Sequence, residues 1–170
     1  KVIFFLPLVL LLGVCVLLLA GLHQDPKKIA SALIDKPVPE FYQANLLDNR
    51  QTLSPKDFPK RPFLLNIWGS WCGYCRYTSP AINSLSEEGY PVVSVALRSG
   101  TNKEVEDYLQ THHYQFTTVN DPQGKIADQW QVNVTPTIII LNKGKMDLAT
   151  TGWTSYWGLK VRLFFTEFFG

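Results

Sequence analysis

Apolar residues occur along this chain in short runs separated by polar, glycine or proline turns. Residues 63–68 and 91–97 are two such runs, each with one polar residue inside it. Continuous apolar runs of this length are typical of strands buried on both faces of a sheet. Between them, residues 72–88 follow a helical pattern that Gly89 ends. The pattern therefore predicts a buried strand, a crossover helix and a second, parallel strand.

The rest of the chain continues to alternate between predicted helices and strands. We predict helices over residues 102–112, with Asn102 as N-cap, and over 125–130, and a short edge strand over 116–119. Strands at 137–141 and 146–151 are joined by a tight turn and form an antiparallel hairpin. The order predicts an α/β fold, a mixed sheet sandwiched by helices, with a small hairpin extension before residue 63.

Aromatic residues dominate the last predicted helix, over residues 153–169. Val161, Phe164, Phe165 and Phe168 fall on one helical face, and Trp153 and Trp157 precede them. Two interpretations are open: this face packs against the sheet, or it contacts a membrane surface. Core packing is the commoner use of such a stripe, and we expect it here.

The amino-terminal segment is apolar throughout. The 21 residues from Val2 to Leu22 carry no charged side chain, and as a helix they would span roughly 31 Å, about a bilayer's hydrocarbon thickness. The apolar part of a cleaved signal peptide is shorter, and Val14 before Cys15 does not suit a lipoprotein site. We predict an uncleaved N-terminal transmembrane helix at residues 1–24, a linker at 25–37 and a folded domain at 38–170. The flanking lysines do not decide its orientation.

Charge and cysteine content narrow the possible functions. The net charge is +2 and no basic run occurs, so we expect no nucleic-acid partner. One of the three cysteines, Cys15, lies in the predicted anchor, which leaves Cys72 and Cys75 as the only pair in the domain. A domain stapled by disulfides would have more cysteines at longer spacings.

The pair sits in Trp71-Cys72-Gly73-Tyr74-Cys75, where a strand gives way to a helix. Backbone N–H groups at a helix start lower a thiol pKa, so Cys72 is the expected attacking thiol. Cys75, one turn on, then resolves the mixed disulfide. Arg76 adds positive charge. A zinc site that also uses His112 and His113 is one alternative, but zinc needs four converging ligands and neighbouring residues rarely point at one metal. An inert disulfide is a second alternative.

Thr135-Pro136 stands directly before the strand at 137–141. Proline does not fit a strand interior, and alongside the cysteine pair it predicts a cis peptide bond. The Thr135 backbone would then be left to hydrogen-bond an extended partner segment.

Taken together, Trp-Cys-x-x-Cys-Arg, Pro80 and Thr135-Pro136 resemble the thioredoxin superfamily, over about residues 38–165. Residues 31–41 and 64–68 are similar to membrane-anchored cytochrome c maturation reductants, and residues 151–159 to the suppressor-of-copper-sensitivity type. The sequence departs from these relatives at Asn66, where thioredoxins proper have a buried aspartate, and at Thr78, where the cytochrome-maturation proteins have glutamate.

This resemblance implies a thiol:disulfide interchange enzyme in the bacterial inner membrane, with its catalytic domain in the periplasm. Its partners would be protein thiols and disulfides, with electrons from a membrane protein; no cofactor or metal is expected, and reduction is the expected direction. Copper(I) binding by the two thiolates and non-catalytic docking remain alternatives. The residues expected to contact a partner protein are Trp71, Gly73, Tyr74, Thr135 and Pro136.

Overall fold

The computed structural model describes residues 11–14 and 38–169, with the side chains of 49, 50 and 169 left out. Residues 11–14 are helical. The predicted anchor and linker fall almost wholly outside these ranges. Within the described residues, no helix has the length and apolar content needed to cross a membrane. The anchor thus stays a prediction.

A five-stranded mixed sheet forms the centre of the domain, in the order β5-β4-β3-β6-β7, and β1 and β2 form a separate hairpin. β3 runs parallel to β4 and antiparallel to β6. In chain order the elements are β1 (Gln43–Asn45), β2 (Asp48–Leu53), a 3-10 turn (Pro55–Asp57), β3 (Phe63–Trp68), α1 (Gly73–Glu87), β4 (Val92–Leu97), α2 (Asn102–Thr111), β5 (Thr117–Asp121), α3 (Lys125–Gln129), β6 (Thr137–Asn142), β7 (Lys145–Thr151) and α4 (Tyr156–Phe169).

The predicted strands and helices are confirmed to within a few residues at their ends. β3 and β4 are buried along their whole length, as expected for central strands covered on both faces. One face of the sheet packs against residues of α1, α2 and α4. The hydrophobic cluster on this face contains both Cys72 and Cys75. The other face packs against α3 and Phe41. The cysteine pair thus lies over one face of the sheet, at the end where β3 stops.

The N-cap of α2 is Thr101 rather than the predicted Asn102. Thr101 Oγ1 accepts a hydrogen bond from Glu104 N at 3.3 Å, and the Glu104 carboxylate accepts one from Thr101 N at 2.7 Å. This reciprocal pair satisfies two backbone donors at once. The Asn102 side chain instead accepts a hydrogen bond from Asn120.

The prediction that the aromatic face of the last helix packs in the core is wrong. α4 turns Leu159, Leu163 and Thr166 inward. Because α4 is apolar around most of its circumference, hydrophobic periodicity identified a stripe but not the side that meets the sheet. The residues that face outward, each at least 50% exposed, are Trp153, Trp157, Val161, Phe164, Phe165 and Phe168.

Candidate functional site

The two cysteines of the Cys-Gly-Tyr-Cys segment form a disulfide at the start of α1, with their Cα atoms 5.3 Å apart. Cys72 is the N-cap and Cys75 lies in the first turn. Both are buried, Cys72 at 5% and Cys75 at 1% exposure. Cys72 is therefore the more exposed residue of the two.

Backbone hydrogen bonds hold Cys72 in its capping position. Its N–H donates to Gly69 O at 3.0 Å, and its Sγ accepts a hydrogen bond from Cys75 N at 3.2 Å. An N–H aimed at this sulfur stabilises negative charge on it after reduction, as the positive end of the helix dipole also does. This geometry favours a reactive thiolate at Cys72.

The turn before the disulfide is tied to the end of β4. Ser70 N donates to Ser99 Oγ at 3.0 Å, and Trp71 Nε1 donates to Leu97 O at 3.1 Å. A Cβ added at Gly69 would lie 2.6 Å from the Trp71 ring, so only glycine lets this ring pack there. Sequence reasoning missed Leu97 and Ser99 because these contacts join residues well separated along the chain. It missed the role of Gly69 because the position of the Trp71 ring is not visible in the sequence.

Three exposed aromatic side chains stand around the buried disulfide. Trp71 and Tyr74 were predicted to contact a partner; Tyr77, the most exposed of the three, was not. Tyr74 and Tyr77 are three positions apart on α1, a spacing that brings side chains to one side of a helix. That spacing was the signal available in the sequence. Gly73, between the cysteines, is exposed and has open space around its Cα.

The predicted cis peptide bond between Thr135 and Pro136 is present. Pro136 is buried and Thr135 half-buried, directly before β6. Thr137, the first residue of β6, pairs with Ile67 near the end of β3, so the proline loop and the disulfide lie at the same end of the sheet. Pro136 O accepts a hydrogen bond from Gly152 N at 2.9 Å. Within the described part of the chain, no backbone hydrogen bond engages Thr135.

The two departures from the relatives are both buried. Thr78 Oγ1 donates to Tyr74 O within the helix, at 3.1 Å. Asn66 lies on the same face of β3 as Leu64 and Trp68, the face that packs against both cysteines. Neither amide atom of Asn66 has a hydrogen-bond partner among the described residues. The site thus has an uncharged amide in the sheet below the disulfide.

Charged groups are sparse at this site. Arg76 is exposed and close enough to Tyr108 to oppose the rise that burial causes in the pKa of that phenol. Among residues 11–14 and 38–169, no three His, Cys, Asp or Glu side chains come together as a metal site. The chemistry that this arrangement can perform is exchange at the two sulfurs.

Comparisons with known proteins agree with this geometry. The profile of the AhpC/TSA family matches residues 34–149. A "Thioredoxin-like protein" of Haemophilus influenzae is 73% identical over 110 residues, which are 65% of this chain and 66% of that protein. A "Probable thiol:disulfide interchange protein DsbE-2" of Pasteurella multocida is 41% identical over 139 residues, or 82% of this chain and 73% of that one.

Solved structures share the fold at low sequence identity. A thio-disulfide isomerase from Thermus thermophilus superposes with a TM-score of 0.67 at 23% identity, covering 78% of this chain and 96% of that one. A putative thiol:disulfide interchange protein DsbE from Chlorobium tepidum gives a TM-score of 0.64 at 23% identity, covering 76% and 92%. The chain belongs to the AhpC/TSA family, among its thioredoxin-like thiol:disulfide oxidoreductases.

Proposed function

We propose that this protein exchanges disulfides with protein partners in the periplasm, with Cys72 as the attacking thiol and Cys75 as the resolving thiol. The observation that carries the proposal is the position of Cys72: it caps α1, its sulfur accepts the Cys75 N–H, and it is the more exposed of the two. Relatives named as thiol:disulfide interchange proteins support the same chemistry.

The exchange proceeds in two balanced steps. The Cys72 thiolate attacks one sulfur of a partner disulfide, and the other partner sulfur leaves as a thiolate. Cys75, after losing its proton, attacks the Cys72 sulfur of the mixed disulfide and releases the second partner sulfur. The protein ends with the Cys72–Cys75 disulfide, and the partner has gained two electrons as a dithiol. A membrane electron donor is then needed to reduce the pair again.

The residues proposed to hold the partner surround the disulfide. Trp71 and Tyr74 offer exposed rings, and Gly73 leaves the sulfur uncovered by a side chain. The Thr135 backbone, which no backbone hydrogen bond engages within the described residues, would pair with an extended partner segment. Main-chain pairing of this kind accepts many sequences, because it uses groups that every peptide carries.

We propose reduction as the direction of the reaction. Arg76, which follows Cys75 in the chain, is exposed to solvent, and the Asn66 amide in the sheet below the pair carries no charge. The less the thiolate is stabilised beyond the helix start, the better an electron donor the reduced form is. Equilibration of the full chain in glutathione buffers measures this: a reductant has a potential well below the glutathione pool, and a potential above it would reverse the direction.

Trapping of the mixed disulfide tests the two roles. With Cys15 replaced by serine, Cys75→Ser should accumulate a mixed disulfide with a peptide disulfide, because no resolving thiol remains. The matched variant Cys72→Ser should trap little, since its remaining thiol is the more buried one. Equal trapping by both variants would contradict the assigned roles, and no trapping by either would contradict exchange.

The predicted anchor completes the proposal. Residues 1–24 would hold the domain at the bacterial inner membrane, with the catalytic domain in the periplasm. An oxidising periplasm is where a disulfide reductant has substrates, and a DsbE-2 relative matches 82% of this chain. Flotation of the full chain with membranes after an alkaline wash tests the anchor.

A further inference from the structure

α4, together with Trp153 just before it, presents an apolar surface to solvent. This surface, called here the aromatic face, consists of five rings and one valine, with exposures from 50% at Val161 to 69% at Trp157. Single exposed apolar residues are ordinary, but a contiguous group of this kind marks a contact surface. The profile of the AhpC/TSA family ends its match at residue 149, before this helix begins. The members of the aromatic face are Trp153, Trp157, Val161, Phe164, Phe165 and Phe168.

Contacts on the opposite side of α4 fix the direction in which this face points. Leu159 and Leu163 are buried against the sheet. The Glu88 carboxylate, just past α1, accepts hydrogen bonds from Tyr156 Oη and, at 2.8 Å, from Lys160 Nζ. These two donors hold the pKa of Glu88 below its ordinary value. The buried leucines and the hydrogen bonds to Glu88 hold α4 in this orientation. The aromatic face could turn inward only if these contacts broke.

The composition of the face fits a lipid surface better than a protein surface. Protein interfaces carry about one hydrogen bond per 100–200 Å², yet the only polar side-chain atoms of the aromatic face are the two indole N–H groups. Indole rings favour the boundary between headgroups and acyl chains, where the N–H stays solvated. Phenylalanine rings beside them would enter the acyl region.

Cations border the aromatic face. Lys160 Nζ lies 5.1 Å from the Tyr156 ring centroid and 5.7 Å from that of Trp157, and Arg162 Nη1 donates to Thr150 Oγ1 at 2.9 Å. α4 contains these two cations and one acid, Glu167. Their hydrogen bonds to Glu88 and Thr150 hold these cations within the protein, so they contribute positive charge at the edge of the aromatic face rather than direct contacts to lipid phosphates.

The predicted anchor brings a bilayer within reach. The 13 residues from 25 to 37 can extend at most about 45 Å. A domain of this size has a radius of gyration of about 14 Å, so every part of its surface could touch the membrane. Since the tether makes this contact intramolecular, even a weak interfacial affinity would keep the face on the lipid.

We propose that the aromatic face rests on the phospholipid surface and orients the domain there. The proposal rests on the proposed anchoring of residues 1–24. Trp153 follows Gly152, whose N–H is bonded to Pro136 O, so the face begins one residue from a contact to the partner-binding loop. Seating α4 on the bilayer therefore holds the disulfide end of the sheet at a fixed orientation to the membrane, where the thiols of a membrane electron donor would meet it.

Quenching of tryptophan emission by brominated lipid tests the contact. The full chain is reconstituted in vesicles of phosphatidylcholine and phosphatidylglycerol in equal parts, with and without bromine on the acyl chains near the glycerol. Trp153 and Trp157 are two of the five tryptophans. We expect quenching in the wild type, loss of most of it in W153F/W157F, and full retention in W71F, the matched variant of an exposed tryptophan outside the face. Turnover of a soluble peptide disulfide should not change in W153F/W157F.

The outcomes distinguish the lipid contact from the proposed membrane anchor and from the proposed disulfide exchange. A chain that floats with vesicles after an alkaline wash but shows no quenching by brominated lipid overturns the lipid contact and leaves the anchor intact. A chain that does not float overturns both, while peptide turnover still reports the exchange chemistry. If Trp153 and Trp157 are shielded from aqueous acrylamide but not reached by brominated lipid, a protein surface covers the face and the proposal fails.

Discussion

Replacing Asn66 by leucine should stabilise the protein. Asn66 is 1% exposed, and neither its Nδ2 nor its Oδ1 has a partner among the described residues. Its neighbours across the sheet are Ser94 and Ile138. The Ser94 hydroxyl is already used: it accepts from Trp68 Nε1 at 3.1 Å and bonds Thr118 Oγ1 at 2.9 Å. The amide of Asn66 is thus removed from water without a hydrogen bond that offsets the cost.

The size of the effect follows from that desolvation. A buried polar group left without a hydrogen bond costs about 1–3 kcal/mol, and leucine has a similar shape with no polar atoms. We expect N66L to raise the free energy of unfolding by about 1–3 kcal/mol. Asn120 differs in part: its Oδ1 also lacks a partner among the described residues, but its Nδ2 donates to Gly100 O and to Asn102 Oδ1, both at 3.0 Å. N120L loses those two hydrogen bonds and should lower the free energy of unfolding by about 1–2 kcal/mol.

Urea unfolding of the full chain in a mild detergent measures these differences. N66L and N120L should shift the midpoint in opposite directions with unchanged slope. N133L, at an exposed asparagine, is the control and should stay within about 0.5 kcal/mol of the wild type. A lower free energy of unfolding for N66L would refute the reasoning, because it would show that the native amide makes a hydrogen bond worth more than its desolvation.

The variant Asn66→Asp probes the same position by pH. Burial raises the pKa of a carboxyl group, so the folded variant would bind a proton more tightly than its unfolded chain. Its stability relative to wild type would be highest below about pH 3.9 and would fall by about 1.4 kcal/mol per unit as pH rises toward the folded-state pKa. As a proton acceptor beneath the disulfide, it should also speed peptide exchange. A pH-independent difference from wild type would contradict a buried carboxyl.

Three further changes test other contacts. G69A should displace the Trp71 ring, which lies 2.6 Å from the added Cβ, and slow exchange with a peptide disulfide, whereas G73A, with nothing near its Cβ, should exchange normally. T101A removes a capping box and should cost about 1 kcal/mol in urea unfolding, with no loss disproving the cap. The lowered pKa of Glu88 means that its contribution to stability is present above about pH 4.3 and is lost as pH falls. The protection factors of α4 amides, which correct for the intrinsic pH dependence of exchange, should fall there, and an E88Q variant should lack that fall.

The central fold could be predicted because its strands carry their signal locally. Residues 63–68 are apolar enough to define β3 without knowledge of their neighbours, and the cysteine pair stands where that strand ends. The cis bond at Pro136 was predicted from a proline directly before a strand together with the cysteine pair elsewhere in the chain. For the strands, the sequence neighbourhood and the folded environment impose the same requirement.

The parts that escaped prediction depend on contacts distant in sequence. Asn66 could be identified as unusual, but its lack of a partner depends on Ser94 having bonded elsewhere. Likewise, helical periodicity grouped Phe164 and Phe168 on one face, yet the side of α4 that meets the sheet is decided by Leu159 and its neighbours. Periodicity reports which residues lie together and not what they meet.

The disulfide and the aromatic face are joined by one short connection. β7 ends at Thr151, Gly152 N bonds Pro136 O at 2.9 Å, and Thr154 is buried just before α4 begins. A tilt of α4 would therefore pull on the loop that precedes β6, at the end of the sheet where partners are proposed to bind. Only three residues separate Gly152 from α4. If the membrane fixes the position of α4, it therefore also restricts the loop that precedes β6. Orientation at the bilayer and access to Cys72 are then set by the same turn.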